Sequence, residues 1–421
     1  HGWREYSINE DASEIRLQPG VIGEQANRYL APFRRKIGPD PASINVAKIG
    51  GIAANNASGM CCGTAQNSYQ TLVSMRVILA DGSVLDTADE ASRMAFAESH
   101  GEMLERIDRL AHETKQNGAL AQRIRAKFKI KNTNGYSLNA LVDLDDPIDI
   151  LQHLMIGSEG TLGFIAEVTY RTVEDHPHKA SALAFFPDIR TACEAVAILK
   201  SEPVVAVELM DRAAIHSVEN QLSMPDDLKE LSEDAAALLI ETRAADGDTL
   251  NSQVNDIRAA IASVDTLYPV RFTDQIEEYT RLWNLRKGMF PSVGAMREIG
   301  TTVIIEDIAF QVSKLAPATL DLQALFKKYA YHEAIIFGHA LEGNLHFVFT
   351  QDFETPEEVD RYRRFMDNVC EMVVKKYDGS LKGEHGTGRN MAPFVELEWG
   401  PQAYALMCEI KAIFDPDNIL N

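Results

Sequence analysis

Residues 335–349 constrain the fold most. They read Ile-Ile-Phe-Gly-His-Ala-Leu-Glu-Gly-Asn-Leu-His-Phe-Val-Phe, two apolar runs of β-forming residues on either side of Glu342-Gly343. With those two residues as the turn, the pattern predicts an antiparallel hairpin in which Leu341 faces Asn344 and His339 faces His346. Directly opposed residues share a sheet face, with Cβ atoms about 4.5–5.5 Å apart. Two imidazoles so placed can share one divalent ion, with a carboxylate or water completing the shell. The plainer reading is a pair of partly buried histidines satisfied by hydrogen bonds. A further cluster, Lys382-Gly383-Glu384-His385-Gly386-Thr387-Gly388-Arg389, favours the metal, because Glu384 offers another ligand and His385 a base. Neighbouring side chains on a regular strand point to opposite faces. One site can therefore use both only if the backbone is irregular, which Gly383, Gly386 and Gly388 permit.

The chain around these segments has the composition of a globular enzyme. Its 421 residues suggest two or three domains, and 45% apolar with 24% charged residues suffice for a sizeable core without disulfides. A net charge of −21 argues against binding nucleic acid through its phosphates. An anionic substrate stays open, since a local arginine or metal overrides the global field. No apolar run approaches the ~20 residues of a transmembrane segment, and the first residues carry no signal-peptide pattern. Five cysteines, with Cys61-Cys62 adjacent and lacking zinc-ribbon spacing, fit a reducing compartment.

Two short strands are expected at 7–8 and 14–18, and a helical stretch at 23–33. A hairpin over 72–85 turns at Asp81-Gly82, followed by a helix over 99–120 and a strand over 162–172. After Glu174-Asp175-His176-Pro177 strands at 183–186, 204–210 and 238–242 alternate with helices at 190–200 and 250–263. That texture predicts an α+β domain whose sheet is covered by helices on a face. Helices at 356–377 and 401–414 follow, the first with proline at its start and the second stopped by Asp415-Pro416.

Residues 50–59, Gly-Gly-Ile-Ala-Ala-Asn-Asn-Ala-Ser-Gly, are nearly all small or polar, so backbone amides can approach a flat or anionic ligand. A loop between strands is the plainer reading. No GxGxxG spacing occurs, which excludes that dinucleotide element. Residues 157–165, Gly-Ser-Glu-Gly-Thr-Leu-Gly-Phe-Ile, either wrap a cofactor ring with backbone groups or simply turn into a strand.

Together these segments resemble the FAD-linked D-2-hydroxyacid dehydrogenases of the vanillyl-alcohol oxidase type: D-lactate dehydrogenases, D-2-hydroxyglutarate dehydrogenase and glycolate oxidase subunits. The matching stretches run in family order over essentially the whole chain. They are Pro19-Gly20, residues 50–59 and 157–163, Val207-Glu208-Leu209-Met210-Asp211, Leu282-Trp283-Asn284-Leu285-Arg286, the histidine hairpin, Gly383-Glu384-His385-Gly386, and residues 414–421. Residues 131–161 look most like the long, respiratory D-lactate dehydrogenases that carry an iron–sulfur extension.

The resemblance implies an α+β chain with a PCMH-type FAD-binding domain at 1–174. A cap domain at 175–390, with a helix-covered antiparallel sheet, would take the substrate, and 391–421 would return to the FAD domain. It implies that Pro19, Gly20, Gly50, Gly51, Ala54, Asn55, Ser58, Gly59, Gly157, Ser158, Glu159, Gly160, Thr161, Gly163, Ile165 and Asn421 line FAD. His339, His346 and Glu384 match the family's divalent-metal ligands, and zinc, manganese and iron all suit that set. His385 matches its catalytic histidine. Arg286 matches the arginine that grips the substrate carboxylate, a residue whose plainer reading is a helix-surface ion pair. Asn344 is expected to donate a hydrogen bond within the site. The implied reaction oxidises a small D-2-hydroxy acid, D-lactate first, to the 2-oxo acid. Electrons would pass to a quinone, a cytochrome or an iron–sulfur module, in the cytoplasm or peripherally at the inner membrane. The family's first strand and pyrophosphate loop precede Pro19-Gly20, and this chain opens after them, so the FAD domain is expected to be incomplete at its N-terminus. The chain also stops where the family continues with Pro-Gly-Lys, and Cys61-Cys62-Gly63-Thr64 stands where Tyr-Gly is common. The competing reading is a flavin-free module that binds metal or a protein partner without catalysis.

Overall fold

A computed structural model of the chain describes residues 2–218, 228 and 230–420. Asn421, expected beside FAD, lies outside the described residues. The chain forms two compact units, residues 1–175 with 382–421, and residues 176–381. It re-enters the first unit at 382 rather than at the expected 391, because the Lys382 carbonyl already accepts the Thr133 N–H at 2.8 Å. Among the described residues no helix is long and apolar enough to cross a membrane.

The first unit is built on strands β1 (Tyr6–Ile8), β2 (Glu14–Leu17), β3 (Arg35–Ile37), β4 (Leu72–Ile78), β5 (Val84–Asp86) and β6 (Phe164–Glu174). They pair antiparallel in the order β1-β2-β6-β4-β5, with β3 also on β6. Alternation along β2 buries Ile15 and Leu17 with Val77, Val168 and Tyr170. The helix Gly101–Gln116 lays Leu104, Ile107 and Leu110 on that core. The helix expected over 99–120 is broken. The Asn117 side chain accepts from Leu120 N and opens a new helix, Gly118–Lys127, since a short amide satisfies a helix start better than a helix interior. The loop reading of 50–59 is corrected too: Ile49–Asn55 is helical and ends at left-handed Asn56, φ 54°.

The second unit holds β7 (His178–Phe186), β8 (Ala206–Met210), β9 (Ala236–Ala244), β10 (Thr302–Ala309), β11 (Ile335–His339) and β12 (Asn344–Gln351). The sheet order is β10-β12-β11-β8-β9-β7, and every pairing is antiparallel. Helices cover both of its faces, not one. Val348, Phe337, Met210 and Leu239 pack with Leu285 and Met289 of the helix Ile276–Met296. Phe347 and Phe349, pointing the other way, meet Phe326 and Phe365 of the helices Leu315–Lys328 and Pro356–Glu371. A strand covered on both sides reads as a continuous apolar run, which is what residues 347–349 are, Phe-Val-Phe.

β8 is followed by Asp211, whose carboxylate caps the short helix Arg212–His216 by accepting Ala214 N at 2.8 Å and also takes Ile336 N at 3.2 Å. Burial outweighs these hydrogen bonds and pushes its carboxyl up to about 6. A raised carboxyl favours the protonated form in the fold. Its stability contribution is whole below about pH 4 and is lost as pH rises through about 6, a cost of about 2–3 kcal/mol. Asp211→Asn keeps the acceptor and removes the buried charge. The variant is expected to gain about 1–2 kcal/mol in urea unfolding at pH 8 and nothing at pH 4. Equal gains at both pH values would show that the charge is not the cause.

Candidate active site

The second unit forms the histidine hairpin in a different register from the one expected. Phe337 pairs with His346 and Ile335 with Val348, while His339 lies opposite Glu208 of β8. The turn is the cause. Ala340–Glu342 form a single 3-10 turn, and Gly343 follows at φ 63°, where a Cβ would stand 1.9 Å from the Phe310 carbonyl. The connection is thus longer than two residues. A slip of two positions keeps every side chain on its face. The imidazoles therefore still meet, diagonally, with their Nε2 atoms 3.3 Å apart and their rings at 83°. Both residues are 4% exposed. With metal–nitrogen bonds of ~2.0–2.1 Å, a tetrahedral ion needs its nitrogens about 3.3 Å apart, so the pair is spaced to hold one.

Around this pair the polar groups are tightly committed. Glu208 Oε1 lies 2.7 Å from His339 Nδ1, and Glu208 Oε2 accepts from Arg286 Nε at 2.8 Å and Nη2 at 2.6 Å. Burial pushes the Glu208 carboxyl up, yet its close contacts with His339 and Arg286 outweigh burial and hold it at about 2. Arg286 is 7% exposed, with its guanidinium 4.3 Å from the Phe337 ring centre, so it is no helix-surface ion pair. Asn344 also departs from expectation. Its Nδ2 donates to Asp307 Oδ1 at 2.6 Å and to the Ile308 carbonyl at 3.0 Å, which uses both N–H groups. What Asn344 offers is an acceptor: its Oδ1 is buried without a hydrogen-bond partner. Sequence reasoning missed Glu208, which lies 131 positions from His339; its only signal was its place in the matched stretch 207–211.

In the first unit three glycine-bearing segments come together. Gly157 N donates to the Ala53 carbonyl at 3.2 Å, Glu159 N to Ala54 at 2.9 Å, and Asn55 Nδ2 to Glu159 Oε1 at 2.6 Å. Gly386, at φ 74°, passes so close that a Cβ would stand 2.1 Å from Glu159 Oε1, and its N–H donates to Thr133 Oγ1 at 3.0 Å. Pro19-Gly20 closes against the start of the first segment, Gly50 N donating to the Pro19 carbonyl at 3.1 Å. Gly51 and Gly160 have open space where a Cβ would stand, and Ser158 Oγ is buried without a partner. That combination of room and an unsatisfied polar atom fits a polar ligand such as FAD. Two expectations do not fit. The Ile165 side chain belongs to the hydrophobic core and the residue pairs with Val77, and Gly163 lies so close to β4 that a Cβ there would stand 3.0 Å from the Ile78 carbonyl. The amides of Gly157, Ser158, Glu159 and Thr161 are all spent on protein carbonyls, so this segment shapes a turn and does not wrap a ring with those N–H groups.

Glu384 and His385 stand in the same unit. Glu384, 8% exposed, accepts from buried Lys131 Nζ at 2.9 Å and from Ser58 Oγ at 3.3 Å; Lys131 Nζ also donates to the Gly59 carbonyl at 2.9 Å. His385 follows with its Nε2 3.9 Å from Glu384 Oε1 and its side chain one-third exposed. The backbone here is irregular, as the use of adjacent residues requires, with left-handed Gly386 and Gly388.

Residues 175–421 match the family described as FAD linked oxidases, C-terminal domain, and residues 3–88 match the FAD binding domain. The glycolate oxidase subunit GlcD of Bacillus subtilis is 26% identical over 420 residues, spanning 98% of this chain and 75% of that protein. The mitochondrial D-lactate dehydrogenase (cytochrome) of Arabidopsis thaliana is 26% identical, spanning 99% of this chain and 62% of that one. Among solved structures, alkyldihydroxyacetonephosphate synthase superposes with a TM-score of 0.62 at 14% identity, covering 99% of this chain and 65% of that chain. At that identity the likeness is one of fold.

Proposed function

This chain belongs to the FAD-linked oxidases of the vanillyl-alcohol oxidase type, which are flavoprotein oxidoreductases, and from that premise we propose that it oxidises a D-2-hydroxy acid, D-lactate first, to the 2-oxo acid with a divalent ion in its site. The observation that carries this reading is the buried pair of Nε2 atoms 3.3 Å apart beside an arginine 7% exposed. Bound FAD supplies the two-electron oxidant for the C2–H bond. A divalent ion (zinc, manganese or iron) supplies the Lewis acidity that makes the C2 hydroxyl easier to deprotonate.

The chain's own groups do the rest. His339 and His346 are assigned as ligands together with Glu384, which follows four residues after Ser380. Ser380 is tied by two backbone hydrogen bonds, 2.9 and 2.8 Å, to Ala309, the residue opposite Asn344. Arg286 spends two N–H groups on Glu208 and keeps others for the substrate carboxylate. Asn344 Oδ1 accepts from the substrate side. His385 takes the hydroxyl proton and, being one-third exposed, passes it to water. Electrons leave to a quinone, cytochrome or iron–sulfur partner. A cytoplasmic setting, peripheral to the inner membrane, agrees with five free thiols.

The test is an anaerobic screen of D- and L-2-hydroxy acids against the purified protein, followed by flavin absorbance and metal analysis. Bleaching by a D-acid and not its L-enantiomer is expected. A yellow protein that no D-2-hydroxy acid bleaches would refute the activity, and a colourless one would favour a flavin-free module.

A further inference from the structure

We propose that Glu208 is a positioning residue that sets metal binding and substrate-carboxylate binding from one buried point: it accepts the Nδ1–H of His339, so that the Nε2 of this imidazole is the unprotonated nitrogen, and it aims Arg286 with its other oxygen. The inference rests on the preceding assignment of His339 as a metal ligand.

Glu208 Oε2 takes two N–H groups of the Arg286 guanidinium, at 2.8 and 2.6 Å, the pairing of a carboxylate, and a carboxylate only accepts hydrogen bonds, so the 2.7 Å contact of its Oε1 places the proton on His339 Nδ1. In the neutral ring the lone pair then lies on Nε2, the atom that faces His346 Nε2 at 3.3 Å. The backbone holds this arrangement firmly. Glu208 and His339 are direct cross-strand partners in the β8–β11 ladder. Gly338, just before His339, passes so close to β12 that a Cβ would stand 2.2 Å from the Asn344 carbonyl, so the strand has no room to shift. Arg286 arrives from the helix Ile276–Met296 and is seated on the Phe337 ring, which leaves its reach to Glu208 fixed as well.

Packing alone does not explain a carboxylate here. Glu208 is fully buried, and Met210, two residues on and on the same sheet face, belongs to the apolar cluster with Phe337 and Leu239. A buried ion pair generally adds no more stability than apolar residues of the same volume. The arrangement matches a general device in which a metal-binding histidine gives its other N–H to a carboxylate, which fixes ring and tautomer.

Glu208→Gln in the full chain tests this. Its amide nitrogen is repelled by the Arg286 guanidinium and turns to His339, whose Nδ1 must then accept and whose proton moves to Nε2. Affinity for Zn²⁺ or Mn²⁺, measured by equilibrium dialysis with metal analysis, is expected to fall about 10- to 100-fold. Unchanged affinity in a folded variant overturns the proposal. A second measurement does not depend on the variant folding: nitrogen-15 NMR of the metal-free parent is expected to show His339 protonated at Nδ1. Protonation at Nε2 overturns the proposal equally. His339→Ala separates the two levels of argument. Metal loss there with none in Glu208→Gln sinks this inference alone, whereas unchanged metal in His339→Ala sinks the ligand assignment beneath it.

Discussion

Replacing His385 by alanine is expected to slow flavin reduction by D-lactate about 10²- to 10⁴-fold while the FAD absorbance persists, the range that loss of a positioned general base produces. Two features of the structure make the outcome specific to proton transfer. The first is that the residue beside it is held independently. Glu384 takes its hydrogen bonds from Lys131 and Ser58, so shortening the neighbouring side chain leaves that carboxylate in place and bound metal should be unchanged. The second is that the backbone is fixed by groups other than the imidazole: Gly386 is left-handed and its N–H is tied to Thr133 at 3.0 Å. The check is anaerobic stopped-flow reduction with FAD and metal content measured on the same sample. A variant reduced at nearly the parent rate would move the base elsewhere.

The sequence made the architecture readable where a pattern was local. The strands around 72–86 and 164–174, the change of texture after 174 and the apolar runs of β11 and β12 all announce themselves within a dozen residues. What failed depended on geometry that no local pattern encodes. The hairpin register was misjudged because the tight approach of Gly343 to Phe310, 33 positions away, dictates a longer turn. The functional pairing survived because side-chain direction repeats every second residue, so an error of two positions leaves faces intact where an error of one would not. The helix Ile276–Met296 carries Pro291 and little amphipathic contrast, so its position over the sheet could not be foreseen. Ile165 and Asn344 show a subtler limit. Both stand in stretches that do contribute to candidate sites, yet Ile165 turns into the core and Asn344 spends its N–H groups on Asp307 and Ile308. A motif therefore located the neighbourhoods, and only coordinates showed which atoms remain available.

The largest effect on metal is expected from His339→Ala, which should lower divalent-ion affinity by more than the roughly 100-fold that loss of a supporting hydrogen bond can cause. The reasoning starts from spacing. Two Nε2 atoms 3.3 Å apart cannot both direct protons at each other, so at least one carries no proton, and an unprotonated imidazole nitrogen can ligate a metal. Alanine removes one of two imidazoles and also strips Glu208 Oε1 of its histidine partner. The second consequence lets the measurement distinguish ligand loss from general damage, because a fully buried carboxylate deprived of one partner should cost stability as well. His346→Ala supplies the comparison. It removes the other imidazole while leaving the Glu208–His339 and Glu208–Arg286 contacts untouched. The expected pattern is loss of metal in both variants, with the larger fall in unfolding temperature in His339→Ala. Equal metal content in the parent and both variants would mean that the imidazoles are a hydrogen-bonded pair and nothing more.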